Sequence, residues 1–290
     1  MEHNYQNIQY ADSRLGFTYV LYNKTQGAFT LYPLKPFFMG EYGFSQSQPP
    51  YYIEKDPHGI DLHNSLWSSL FSTSIGPASF WRWATLYECG VFKRFTPLLN
   101  FSRNLPVLSS SFTPNHTGRI INHKLEFDNG LRTYYMYNST QDTIYGWSQD
   151  TIFAYTSLRK LADTASIVPF EGGDYWCITG GAFDTLGYVY TLDPAKRPAP
   201  SSNNNSIKLK ITNQPVGSRY EINWYNPETG SINLALGIHY CFVQQDVLGD
   251  KFITFQFPSS IRNIKSNTIN NTFGDVVFSL ILRNPFEKSE

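Results

Sequence analysis

The chain has 290 residues, 41% hydrophobic and 16% charged, so it can bury a sizeable core and is not a disordered chain. Basic and acidic residues balance at 23 each and no basic cluster stands out, which argues against a nucleic-acid partner held by bulk charge. Aromatic residues make up 17%, a level that suits both sheet packing and stacking on the faces of sugars.

From about Tyr10 to Leu31 the pattern is helical, with Leu15, Tyr19, Tyr22 and Phe29 near one stripe, and Pro33 and Pro36 end it. The apolar run Pro36-Phe37-Phe38-Met39 then delivers Glu41 between Gly40 and Gly43. A polar, Pro-rich loop follows, SQSQPPYYIEKDPHG. DLHNSLWSSLFSTS reads as a helix with Asp61 as N-cap and Leu62, Leu66 and Leu70 on one face. IGPASFWRW is strand-like, and CGVFKRFTPLLNFSRNL is amphipathic until Pro97 kinks or ends it. Helix, strand, helix, strand, helix is the order expected of repeated βα units around a parallel sheet.

After about Leu105 the character changes. LRTYYMYN, TIYGWSQD, YVYTLD, SIKLKIT, RYEINWYN, FITFQFP and DVVFSLILR are strand-like runs in close succession, separated by turns such as NPETG at Asn226–Gly230. DPAKRPAPSSNNNS reads as an exposed loop among these strands, and DTIFAYTSLRKLADTA as a short helix. The expected fold is therefore α+β and multidomain. Residues 1–105 supply β/α units and residues 106–290 an antiparallel β-sandwich.

Cys89, Cys177 and Cys241 are an odd set with no CxxC, which argues against a complete disulfide framework; pairing of Cys177 with Cys241 stays open. His58 and His63 have no matching Cys or His pair, so no metal site and no cofactor is expected. No segment approaches the length of a membrane span, and MEHNYQNIQY lacks the pattern of a signal peptide. Asn-x-Ser/Thr sequons at Asn23, Asn100, Asn115 and Asn138 carry little weight in so Asn- and Ser-rich a chain.

Three motifs, in order, resemble the C-terminal part of a clan-A glycoside hydrolase, the cellulase- and mannanase-like (β/α)8 barrel. His3-Asn4-Tyr5 looks like the His-x-Tyr of an inner strand, Glu41 in FFMGEYGF like the nucleophile ending the seventh strand, and Trp81 and Trp83 in GPASFWRW like the aromatic platform ending the eighth. The helix after Glu41 is of the type that often follows the nucleophile. The resemblance implies a partial TIM-type barrel over residues 1–105, a polysaccharide or oligosaccharide substrate, and secretion or cell-surface display for the full-length family. It assigns Glu41 as nucleophile and His3, Tyr5, Trp81 and Trp83 as sugar-contacting residues.

The residue types fit that chemistry. A retaining glycosidase needs one carboxylate to attack the anomeric carbon and a second, roughly 5 Å away, to protonate the leaving oxygen. Tyr5 would donate its hydroxyl to Glu41, and Gly40 would let the backbone turn out of the barrel. Trp81 and Trp83 flank Arg82, so both indoles face one side of a strand. His63, at the helix start, reads as structural or as support for the site, and Trp67 as core. An eight-stranded barrel needs about 250 residues, and the family's Asn-Glu acid motif occurs nowhere in this sequence. The chain is thus expected to correspond to the distal portion of a longer enzyme and to be inactive alone. The later region resembles the C-terminal β-sandwich that accompanies such hydrolases, through RYEINWYNPETGS with Trp224 and TIYGWSQD with Tyr145 and Trp147. The alternative is a carbohydrate-binding or cell-surface interaction protein without catalysis, recognised by exposed aromatic rings on one sheet face.

Overall fold

The structure is a computed structural model that describes residues 60–72, 91–103, 105, 112–121, 124–126, 130–151, 167–169, 182–183, 188–190, 205–262 and 274–283, with positions 27 and 31. Its helices are α1 (Ile60–Leu70), α2 (Phe95–Ser102), entered from a 3-10 turn at Val91–Arg94, and the single turn α3 (Ser259–Arg262). Its strands are β1 (Phe112–His116), β2 (Arg119–Ile121), β3 (Lys124–Glu126), β4 (Leu131–Asn138), β5 (Thr143–Asp150), β6 (Ile167–Pro169), β7 (Ala182–Phe183), β8 (Tyr188–Tyr190), β9 (Ser206–Lys210), β10 (Arg219–Tyr225), β11 (His239–Gln245), β12 (Lys251–Gln256) and β13 (Asp275–Arg283).

Eight of these strands form one sheet in the order β1-β4-β5-β13-β10-β11-β12-β9, and every adjacent pair is antiparallel. β2 and β3 form a small ribbon, and β6, β8 and β7 a three-stranded sheet. Burial follows the sequence pattern. DVVFSLILR and LRTYYMYN are nearly continuous apolar or aromatic runs, and β13 and β4 are buried on both faces for six residues. RYEINWY alternates, and β10 buries only Tyr220, Ile222 and Trp224. β9, β11 and β12 likewise bury one face.

The sheet therefore has two cores. On one face, Phe112, Tyr134, Met136, Tyr145, Trp147 and Val277 pack under α1 and α2, against Leu62, Leu66, Trp67, Leu70, Leu98 and Phe101. On the other, the sheet curls into a half-barrel filled by Tyr135, Ile144, Leu209, Tyr220, Ile222, Trp224, Val243, Ile253, Phe255, Phe278 and Leu280, among others. Gly146 permits the tight β5–β13 contact: it pairs with Phe278, and a Cβ there would run into that ring. Gly230 has φ +73° and presses the β10–β11 turn onto α2, where Asn100 Nδ2 donates to Thr229 O at 2.9 Å.

This architecture corrects the expected fold class. A (β/α)8 barrel needs parallel strands inside a ring of helices that keep one solvated face. Among the described residues the main sheet is antiparallel, α1 and α2 are short helices, and α1 is buried on every side from Leu62 to Leu70. Both helices cover one antiparallel sheet, so the partial TIM-type barrel is not supported. Nor, among the described residues, are two sheets seen to stack as a sandwich: the eight-stranded sheet encloses its own core by curling. Pro97 lies in the first turn of α2, where its missing N–H costs nothing, so it opens the helix instead of kinking it. The expected boundary near residue 105 falls beside residues outside those described.

Cys241 lies on the half-barrel's inner face, 3% exposed, as a free thiol; Cys177 lies outside the described residues. Burial pushes the Cys241 thiol up to about 12. The thiolate is the reactive form, so alkylation at Cys241 at pH 8 should be negligible in the native protein and complete after denaturation. Peptide mapping after a short iodoacetamide pulse measures this, and comparable labelling in both states would mean that the curl is open.

Candidate functional site

Glu41, His3, Tyr5, Trp81 and Trp83, the residues the sequence motifs single out, all lie outside the described residues. Among the described residues, two other places stand out for combining polar and aromatic chemistry.

The first is a buried seam between α1 and the sheet. Asp275 opens β13 and its Oδ2 accepts the indole N–H of Trp147 at 2.6 Å, while His63 Nε2 stands 2.7 Å from the same oxygen. One turn position on, Asn64 Oδ1 accepts from Gln149 Nε2 at 2.8 Å. Gln149 Oε1 in turn accepts from Arg132 Nε at 2.9 Å and from its Nη2, and the guanidinium lies 5.2 Å over the Trp147 ring. Each of these side chains is at most 1% exposed. The serines of α1 face inward too and bond back to its own carbonyls, Ser68 to Ser65 O and Ser69 to Leu66 O. A His–carboxylate pair is half of an acid–base device, but at this depth no substrate reaches it. It fastens a helix to a sheet, in line with the structural reading of His63.

The second is the outward face of β10, β11, β12 and β9, beyond the edge of the helical cover. That cover ends where Phe101 of α2 meets Tyr225 edge-on, with ring centroids 4.9 Å apart. From there the register runs Arg219 opposite Phe242 and Glu221 opposite Tyr240 on β10–β11, Gln244 opposite Phe252 on β11–β12, and Phe252 opposite Lys210 and Thr254 opposite Lys208 on β12–β9. Phe242 is 50% and Tyr240 47% exposed. Arg219 Cζ sits 5.0 Å from the Tyr240 centroid, and Lys208 Nζ 3.7 Å from that of Phe252. Glu221 receives Arg283 through two bonds, Nε at 2.8 Å and Nη2 at 3.0 Å, and these bonds hold its carboxyl below the usual range. The face thus offers an apolar ring beside planar hydrogen-bonding groups, which is a surface able to stack a flat C–H face and bind the hydroxyls at its rim.

The tryptophans that carried the sequence resemblance of the later region are core residues: Trp147 is 0% and Trp224 2% exposed. On this sheet the half-exposed rings come from HYCFVQQ, whose alternation puts Tyr240 and Phe242 on one side and Cys241 and Val243 on the other. That alternation was the available signal, and the unbroken run Tyr240-Cys241-Phe242-Val243 obscured it.

Among the described residues no three His, Cys, Asp or Glu side chains gather where they could hold a metal ion. No described helix is long and apolar enough to cross a membrane. Comparison with protein-family models, curated proteins and solved structures finds no match.

Proposed function

We propose that this chain is a carbohydrate-active protein whose open sheet face binds a polysaccharide or oligosaccharide without cleaving it. The observation that carries this reading is the half-exposed Phe242 ring, set between polar side chains on a rigid antiparallel frame. A pyranose ring has an apolar C–H face and a polar edge, and this surface has the complementary order. Strands fix Phe242 and its neighbours in advance, so little conformational entropy is lost on binding. Such a protein would act at a cell surface or outside the cell, where polysaccharide is found.

Phe242→Ala removes the platform while leaving the buried partners of β11 untouched. Covering a half-exposed Phe is worth on the order of 1.5 kcal/mol, so affinity for the preferred glycan should fall about tenfold, while losing the half already buried costs about 1 kcal/mol of stability and leaves the protein folded. Affinity electrophoresis in polysaccharide-loaded gels measures it. Wild-type retardation by none of a broad glycan panel, or equal retardation of the variant, would sink the reading.

A second reading rests on the ordered motifs His3-x-Tyr5, Glu41 and Trp81/Trp83: descent from, or part of, a retaining glycoside hydrolase with Glu41 as nucleophile. General acid catalysis is worth about 10²–10⁴-fold, and this sequence has no Asn-Glu to supply it. The purified chain should then leave polysaccharide intact and turn over an activated aryl glycoside at a trace rate that Glu41→Gln abolishes. A trace that survives Glu41→Gln removes Glu41 from the mechanism.

A further inference from the structure

We propose that the outward face selects an acidic glycan, one whose sugar rings bear carboxylate or sulfate groups, with Phe242 stacking on a ring and Arg219 and Lys208 receiving the anions on either side. The inference rests on the glycan-binding reading above and names its ligand class. Three observations carry it.

The first is the row itself. Arg219 on β10 is opposite Phe242 on β11. Continuing the β11–β12 register by one residue sets Phe242 opposite Thr254, which is opposite Lys208 on β9. Cation, ring, hydroxyl and cation therefore lie in one line across four strands. Three inter-strand steps span roughly 14 Å, a reach that calls for an oligosaccharide and not a single sugar.

The second is how the two cations are held. Arg219 lies over Tyr240 and Lys208 over Phe252, so those rings serve as supports beneath the charges, and Phe242 is left as the stacking surface. A cation over an aromatic face keeps its charge and its outward donors while losing little hydration. This differs from a neutral-sugar platform, where the ring faces themselves would be open.

The third is charge accounting. Of the four cations on this face, Arg283 is taken by Glu221 in a bidentate pair and Lys210 stands 3.8 Å from Asp250. Among the described residues Arg219 and Lys208 make no ion pair, although Arg219 lies close enough to Glu221 to be felt by it. Two positive charges remain across a chain of net charge zero, so the local excess is a property of this face and not of overall composition.

The test uses the full chain and soluble probes of defined length: an oligogalacturonate for the carboxylate source, a sulfated dextran oligomer for the sulfate source, a neutral dextran oligomer, and polyacrylate as a polyanion without sugar rings. Calorimetric titration should give at least one acidic saccharide about tenfold tighter than the neutral one, weakening severalfold between 50 and 500 mM salt. Arg219→Gln and Lys208→Gln should each lower acidic binding about threefold to tenfold and leave the neutral oligomer unaffected. Phe242→Ala should weaken the acidic saccharide but not polyacrylate. Equal, salt-insensitive binding of neutral and acidic oligomers would overturn the acidic preference while leaving the glycan reading in place. Polyacrylate binding as tightly as the acidic sugars, or no saccharide binding at all, would overturn the glycan reading itself.

Discussion

Asp275→Ala is expected to cost about 3–5 kcal/mol of folding stability, the largest single effect among the described polar residues. One carboxylate oxygen serves both the Trp147 indole N–H and His63 Nε2, and all three side chains are fully buried. Its loss leaves two polar groups without that partner, each worth about 1–3 kcal/mol of desolvation, and opens a gap between α1 and β13. Asp275→Asn keeps an oxygen in nearly the same place and should cost about half as much. Urea unfolding followed by tryptophan fluorescence resolves the two, since Trp147 and Trp67 both report from this seam. A loss below 1 kcal/mol for the alanine variant would mean that α1 is held by its apolar face alone. The contrast with surface pairs is instructive: Lys210 and Asp250, 63% and 64% exposed at 3.8 Å, should contribute almost nothing measurable.

The same seam explains what was and was not legible in the sequence. The helix of DLHNSLWSSLFSTS was legible from Leu62, Leu66 and Leu70 at helical spacing, and it forms over Ile60–Leu70. Its environment was not. His63 read as structural or as support for the site and Asn64 carried no signal, because the groups that pair with them, Asp275 and Gln149, lie 212 and 85 residues away in sequence. Helix–strand alternation then suggested βα units, whereas the helices in fact cover an antiparallel sheet. The strands LRTYYMYN, TIYGWSQD, RYEINWYN and DVVFSLILR were legible from apolar runs and alternation. β1 was not, because FTPNH carries Pro114 and polar residues, as suits an edge strand. Tyr240 and Phe242 were missed as exposed rings because the large tryptophans drew attention, and size alone does not tell which face of a strand is wet. Glu41 remains a reading of motif order.

Gln141→Ala should lose about 2–4 kcal/mol, through a turn that no propensity rule marks. NSTQDT joins β4 to β5, and Gln141 sits there with φ 57°, a left-handed conformation that glycine or asparagine would adopt more readily. Its side chain is 1% exposed and explains the choice. Oε1 accepts the backbone N–H groups of Thr212 and Asn213 at 2.7 and 2.8 Å and the Thr212 hydroxyl at 3.2 Å. Its backbone carbonyl accepts the Tyr220 hydroxyl, which burial keeps protonated and therefore a donor. Asn213 and Gln214 return bonds of 2.6 Å each to the carbonyls of Ser139 and Thr140. One residue thus joins the β4–β5 hairpin to the loop that carries the chain from β9 to β10, the strands bearing Lys208 and Arg219. Alanine keeps the left-handed cost and orphans two backbone N–H groups, whereas Gln141→Gly relieves about 1 kcal/mol of that cost and orphans the same groups. Glycine should therefore be the milder variant by about that amount, and both should be far below wild type. If glycine equals or exceeds wild type in urea unfolding, backbone conformation alone governs the turn and the side chain ties nothing. If instead alanine and glycine lose stability together and also weaken glycan retardation, the turn sets the spacing of β9 and β10 on the outward face.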